Sequence, residues 1–395
     1  MSKDISAEGL RGLAAFNVFL AHFFLTFYPL GFTHLFPWVA GEGATGGLAE
    51  GILSLPILSV LWSGSFPVSI FFVLSGYVLT KKYRKTGDSS IIWAQAARRY
   101  FRLGIPVFAT VMLVFGLGKL GLYAIGDTAR VTHSVWAAGR AFPDVNFADA
   151  LRDATYGSVL LGSSLFNTVL WTMKVEFFGS MLIFAYSLFA LRHAWWPIAA
   201  AGYVALTVWL SPDFWPYYVG FLLGAHVDSL PRARLRATRW MLILAGIYLA
   251  TYDGSTMFYP LKFVPLPDRS RAELFSVIAG AMVFYAIRSG SLVYALESRV
   301  AQFLGRISFS FYLVHVPVIA VVGCYIFNSL IAHGSVRSVA VSAALTATIP
   351  VSLFLATIFN TIVDQSAIGF GRWITQPLSR HREPICKVQV SRRLS

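Results

Sequence analysis

Charged side chains are scarce in this sequence. Asp, Glu, Lys and Arg make up 13% of its 395 residues, hydrophobic residues make up 56%, and the mean hydropathy is +0.65. In soluble domains, roughly a quarter of all residues are charged. The shortage excludes a soluble globular domain and predicts an all-α polytopic membrane protein, because helices satisfy their own backbone hydrogen bonds in lipid.

Cysteines and short catalytic motifs are equally scarce. Cys324 and Cys386 are the two cysteines, so we expect no disulfide framework. The sequence has no metal-binding motif, glycine-rich phosphate loop or Gly-x-Ser-x-Gly elbow, which argues against metal catalysis and a bound metal. The net charge of +14 comes from basic residues in short loops between apolar segments, so we expect it to reflect membrane topology and not a nucleic-acid partner.

Ten apolar segments predict about ten transmembrane helices. They lie near residues 10–30, 62–80, 103–124, 167–190, 196–210, 213–227, 240–252, 271–288, 307–331 and 338–363. Basic residues concentrate in alternate loops, which predicts a multi-pass protein of the cell (inner) membrane with both termini cytoplasmic. We expect residues 1–375 to form the transmembrane domain and residues 376–395 a basic, disordered cytoplasmic tail. The short segments 196–210 and 213–227 either cross the membrane or form a re-entrant pair.

The longest external segment, about 125–166, mixes basic and acidic residues. A loop of this length is often functional. We interpret it either as the cover of a site or as a structural cap.

The first span carries two ionisable residues on one helical face. Arg11 and His22 are eleven residues apart, almost three turns, which separates them by about 16 Å along the axis. An arginine suits the entry of a helix into the bilayer, but an imidazole deep in the span needs a reason. Either His22 is neutral and bonded to a neighbouring helix, or it has a function.

Other polar residues fall in the middle region of the bilayer. Glu176 and His315 lie about 14 and 12 Å inside their predicted spans, and Ser75 and Gly76 lie in the inner half of the second span. Buried unpaired, these groups would cost several kcal/mol, so we expect a shared polar cavity, either a transport pathway or an active site. The alternatives are polar contacts between helices and, for Ser75-Gly76, close helix packing.

Arg98 and Arg102 lie one turn apart at the cytoplasmic start of the third span. They either set the topology or form a phosphate clamp, because guanidinium groups bind phosphate through paired hydrogen bonds.

In this order, the motifs resemble the membrane-bound acyltransferase-3 family, the integral-membrane O-acyltransferases. The resemblance covers almost the whole chain and rests on five segments: Glu8-Gly9-Leu10-Arg11-Gly12 with His22, Phe71-Phe72-Val73-Leu74-Ser75-Gly76-Tyr77, Arg98 with Arg102 and Pro106, Trp171-Thr172-Met173-Lys174-Val175-Glu176, and Ser308-Phe309-Ser310-Phe311-Tyr312-Leu313-Val314-His315. Near the end, Val363-Asp364-Gln365 departs from the family pattern, so Asp364 is given no role.

The resemblance implies a cytosolic acyl-CoA donor, most often acetyl-CoA, no tightly bound cofactor, and a hydroxyl acceptor such as a surface glycan or lipid-linked sugar. Three arginines would hold the CoA phosphates: Arg11, Arg98 and Arg102. His22 would be the general base, or a covalent acyl relay, and Glu176 would orient an imidazole or position the acceptor. The remaining predicted cavity residues are Ser75, Gly76, Tyr312 and His315. The alternative is a proton-coupled transporter with His22, Glu176 and His315 as its relay.

Overall fold

The computed structural model describes residues 4–380, a range that contains seventeen α-helices and no β-strand. The helices are α1 (Ile5–Phe27), α2 (Leu48–Leu53), α3 (Ser65–Thr86), α4 (Ser90–Lys119), α5 (Ile125–Thr132), α6 (Val135–Ala138), α7 (Phe147–Arg152), α8 (Trp171–Phe189), α9 (Trp196–Leu210), α10 (Trp215–His226), α11 (Arg236–Ala250), α12 (Asp268–Arg288), α13 (Val293–Leu296), α14 (Arg299–Val318), α15 (Cys324–Ala332), α16 (Arg337–Phe359) and α17 (Gln365–Arg380). Short π-helical segments, Asp153–Leu161, Ile319–Gly323 and Asn360–Asp364, follow α7, α14 and α16.

Within the described range, six helical segments are long and apolar enough to cross a membrane. They are Ile5–Phe27, Ser90–Lys119, Thr168–Phe189, Asp268–Arg288, Arg299–Ala332 and Arg337–Thr375. The other four predicted spans are also helices, but α3 ends in a run of basic residues and α9, α10 and α11 are shorter. The chain is therefore an all-helical, multi-pass membrane protein, and both the count of ten spans and the sides of the termini stay predictions.

Two boundaries differ from those expected. α4 begins at Ser90, well before the predicted start near 103. Its first turns are helical although they contain several polar residues, so hydropathy did not include them in the span. α17 continues to Arg380, past the boundary predicted at 375, and residues 381–395 of the predicted tail lie outside the described range.

Part of the predicted external segment lies inside the bundle. The Tyr100 hydroxyl donates a 2.6 Å hydrogen bond to the Thr155 carbonyl, and Asp153 is buried. The helical stretch Phe147–Leu161 thus packs beside α4, which hydropathy did not indicate because it carries Arg152 and Asp153.

Glycines bring pairs of helices into close contact. A Cβ atom on Gly12 would lie 2.3 Å from the Gly305 nitrogen, and one on Gly9 would lie 2.1 Å from the Leu296 carbonyl oxygen. These contacts hold α1 against the end of α13 and the first half of α14. Likewise, a Cβ atom on Gly76 would lie 2.0 Å from the Phe221 carbonyl oxygen, so α3 and α10 meet there backbone to backbone.

A proline near the end of α14 is compensated by side chains from other helices. Pro317 has no N–H group and therefore leaves the Leu313 carbonyl without its usual helical donor. Thr110 Oγ1 and Asn167 Nδ2 donate to this carbonyl over 3.0 and 2.7 Å. Because both side chains are buried, they fix α14 one turn before the proline, at the level of His315.

Candidate active site

Two histidines from distant parts of the sequence meet inside the bundle. His22 Nδ1 on α1 lies 2.8 Å from His315 Nε2 on α14. The ring planes are 7° apart with centroids separated by 5.1 Å. An N–N distance of 2.8 Å is shorter than the about 3.5 Å of stacked rings in contact, so the two imidazoles join edge to edge through a hydrogen bond.

The two imidazoles differ in access and in their second contacts. His315 is 0% exposed, and its Nδ1 lies 3.1 Å from the Phe311 carbonyl oxygen in the preceding turn. His22 is partly exposed. Of the pair, His22 is therefore the one that a substrate can reach.

The segment between α4 and α8 covers His22. The ring of Trp136 on α6 lies nearly parallel to that of His22, with centroids 5.2 Å apart. The Arg140 guanidinium lies 5.0 Å from the Trp136 ring, and its Nε donates to Thr168 Oγ1 over 3.0 Å. The covering interpretation of this segment thus fits the structure at Trp136.

A cavity of about 500 Å³ approaches the histidine pair from the side of the bundle that carries Asp4, which we call the N side. Along α3 its lining extends from Lys81 to Val68, about 20 Å of helix. Its walls are mostly apolar, and its far end includes Thr172 and Tyr312. The Tyr312 ring lies 5.9 Å from that of His315, so one aromatic ring separates the cavity from the imidazoles.

Carboxylates hold two arginines at this cavity. Arg99 donates to Glu176, which also accepts a 2.6 Å hydrogen bond from the Ser75 hydroxyl. Arg102 bonds both oxygens of Asp364, the last residue of the π-helical segment after α16. A third arginine, Arg11, also lines the cavity and donates to the Gly305 carbonyl over 3.4 Å.

A second cavity, of about 290 Å³, lies between α4 and α17 and shares Leu79, Arg99 and Arg102 with the first. Its lining adds Arg98 and Arg372, so within the described part of the chain four arginines and no acidic residue line it. Gly371 lets the helices approach, because a Cβ atom there would lie 3.2 Å from Arg98 Cβ. This charge balance favours an anionic ligand.

The predicted site residues lie in different parts of the site. Gly76 packs against α10 and does not line either cavity, so the packing alternative holds for it. Arg98 and Arg102 both line the smaller cavity and Arg102 also lines the main one, so the phosphate clamp of the two arginines stays a prediction for the smaller cavity. Glu176 bonds Ser75 and Arg99, and its hydrogen bonds within residues 4–380 reach neither imidazole, so its orienting role and the relay through His22, Glu176 and His315 stay predictions.

Four residues at the site were not expected from the sequence: Arg99, Trp136, Arg372 and Asp364. Arg99 had a usable signal, because Glu176 is a carboxylate within a span and needs a basic partner at its own depth. Nothing in the local sequence marked the other three. Among residues 4–380, no group of three histidine, cysteine or acidic side chains is arranged to hold a metal ion.

A family model described as an acyltransferase domain matches residues 4–359. The chain is 25% identical over 437 residues to O-acetyltransferase PaAT-1 of Phomopsis amygdali, covering 95% of this chain and 85% of the relative. It is 24% identical over 400 residues to acyltransferase clz18 of Cochliobolus lunatus, covering 83% and 82%. It is 25% identical over 344 residues to acyltransferase MdmB of Streptomyces mycarofaciens, covering 80% and 78%. No solved structure matches the chain.

Proposed function

The chain belongs to the acyltransferase-3 family and is an acyltransferase, and we propose that it transfers an acyl group, most simply acetyl, from acyl-CoA to a hydroxyl group. The proposal depends on one observation. A cavity lined by arginines on the N side leads to a pair of hydrogen-bonded histidines, separated from them by the ring of Tyr312. A transferase needs this arrangement, because an anionic carrier must bind at one end and deliver its thioester to a base at the other.

The acyl-CoA donor occupies both cavities. Its phosphates bind in the smaller one, where Arg98 and Arg372 bring positive charge that no lining carboxylate neutralises. Arg102 and Arg11 lie at the boundary and in the main cavity, on the route of the pantetheine arm. The apolar walls of the main cavity then guide the arm toward Tyr312. We propose that the donor binds from the cytoplasm, that the N side faces the cytoplasm, and that the protein lies in the cell (inner) membrane.

His22 acts as the general base. The acceptor oxygen bonds to the thioester carbonyl carbon while its proton passes to His22. The carbon–sulfur bond then breaks, and the proton moves from His22 to the leaving CoA thiolate. Base catalysis of this kind contributes about 10²–10⁴ in rate. Ser75 and Tyr312 are wall groups of the donor cavity, and Glu176 holds Arg99 in place.

The acceptor reaches His22 from the side opposite to the donor. Trp136 covers His22 there and is itself buried under the Arg140 guanidinium, so the acceptor hydroxyl enters beside this ring. A surface glycan or a lipid-linked sugar carries such a hydroxyl.

The experiment uses purified protein in lipid, acetyl-CoA labelled in the acetyl group, and cell-envelope glycans and lipids as acceptors. We expect label transfer with the wild type and with the control His333→Ala, an exposed histidine, and a loss of at least a hundredfold with His22→Ala. Near-normal transfer by His22→Ala overturns the role of His22. Solute flux across vesicles without consumption of acetyl-CoA supports the transporter alternative.

A further inference from the structure

The hydrogen bonds around His315 have a fixed direction. The Phe311 oxygen is a carbonyl and can only accept, so the hydrogen of the His315 ring is on Nδ1, the nitrogen 3.1 Å away. In a neutral imidazole the other nitrogen is then an acceptor. His315 Nε2 is therefore unprotonated and faces His22 Nδ1 at 2.8 Å.

The direction of these hydrogen bonds also sets the position of the hydrogen on His22. Its Nδ1 must carry the hydrogen that His315 Nε2 accepts, which leaves His22 Nε2 with a free lone pair. We infer that His315 is a positioning residue that fixes this tautomer of His22, so that Nε2 of His22 faces the substrates as the base. This inference rests on the proposed function of the site and adds a role for a residue that touches no substrate.

The surroundings of the two histidines fit a chain of hydrogen bonds between neutral groups, each bond with a fixed donor and acceptor. His315 is 0% exposed, which keeps water from replacing either of its hydrogen bonds. The Arg140 guanidinium of the covering segment lies over Trp136, and the hydrogen bonds of the His315 ring go to His22 and to the Phe311 carbonyl. When His22 accepts the proton of the acceptor, its Nδ1–H keeps the bond to His315, which then becomes charge-assisted and stronger.

The test measures the tautomer directly. Protein with ¹⁵N-labelled histidine rings is placed in lipid nanodiscs and its NMR spectrum is recorded. The chain has eight histidines, and the signals that disappear in His22→Ala are assigned to His22. We expect wild-type His22 to carry its hydrogen on Nδ1, and expect His315→Leu to lose this preference. A hydrogen on Nε2 of wild-type His22 overturns the inference, whether or not the leucine variant folds.

Kinetics separate this inference from the proposed function. His315→Gln retains an acceptor oxygen at the ε position, and we expect its kcat within about tenfold of wild type. His315→Asn is too short to reach His22, and we expect kcat to fall about a hundredfold with an unchanged KM for acetyl-CoA. Wild-type kcat in both variants, with transfer abolished in His22→Ala, overturns the inference alone. Normal transfer by His22→Ala overturns the proposed function, and the tautomer remains measurable.

Discussion

The two polar regions of the bundle differ in how their side chains interact: through hydrogen bonds in one and through ion pairs in the other. Around His22 and His315, hydrogen bonds join the two imidazoles and a backbone carbonyl, and the described residues form no ion pair there. On the N side, Glu176 and Asp364 each bond an arginine. The first region suits proton transfer, because its groups are uncharged at rest. The second suits anion binding, because its carboxylates hold arginines in place while Arg98 and Arg372 add uncompensated positive charge.

The largest effect is expected when one partner of an N-side ion pair is removed. Glu176→Ala leaves Arg99 largely buried without its carboxylate, which costs about 3–5 kcal/mol of stability. Thermal unfolding in detergent measures the loss, with the exposed Glu42→Ala as control. A variant as stable as wild type would mean that the pair does not organise this region.

A smaller effect is expected from a neutral change beside the histidines. Asn167→Leu removes one of the two donors to the Leu313 carbonyl and costs about 1–3 kcal/mol. Because this carbonyl lies half a turn from His315, we also expect a lower kcat with an unchanged KM for acetyl-CoA. Thr346→Val, an exposed threonine bonded within its own helix, serves as control and should change neither. Equal kcat in Asn167→Leu and wild type contradicts the positioning role of this contact.

The smallest effect concerns pH at the edge of the N side. Burial opposes ionisation of Asp4, but hydrogen bonds from Tyr77 and Lys81 outweigh it and lower the pKa of Asp4. A carboxyl group whose pKa falls on folding stabilises the protein above its unfolded pKa, and this stabilisation disappears as the pH falls through its folded pKa.

Asp4→Asn keeps the N-cap oxygen of α1 and removes the charge. We expect it to lower stability by about 1 kcal/mol at pH 7, and we expect the difference from wild type to shrink below about pH 4. Unfolding curves across pH measure this, with the exposed Asp127→Asn as control. A difference that stays constant with pH contradicts the assignment to the charge.

The sequence allowed helices and depths to be predicted, but not which side chains touch. His22, Glu176 and His315 were expected at broadly similar depth, yet only the two histidines meet. Depth follows from counting residues along each helix, whereas contact depends on how each helix is rotated about its axis. Glycine contacts such as Gly12 with Gly305 set that rotation, and they involve residues far apart in sequence.

The arginines illustrate the same limit. Hydropathy placed the start of the third span near 103, because Arg98, Arg99 and Arg102 are polar, and so concealed the earlier start of α4. The partner of Arg102 is Asp364, which belongs to a π-helical turn. Asp364 lies in the segment that departs from the family pattern, so it was given no role. Such a turn depends on tertiary contacts and has no local sequence signal.

The central claim is that donor binding and chemistry occupy separate regions, and one comparison tests it. Acetyl-CoA affinity and transfer rate at saturating donor are measured for His22→Ala, for Arg98→Ala with Arg372→Ala, and for the exposed control Arg232→Ala. We predict that the histidine variant binds like wild type and does not transfer. The double arginine variant should bind about tenfold more weakly, a loss of about 1.4 kcal/mol, depend less on salt, and transfer normally once saturated. Weakened binding in His22→Ala, or unchanged binding in the double arginine variant, would contradict the account.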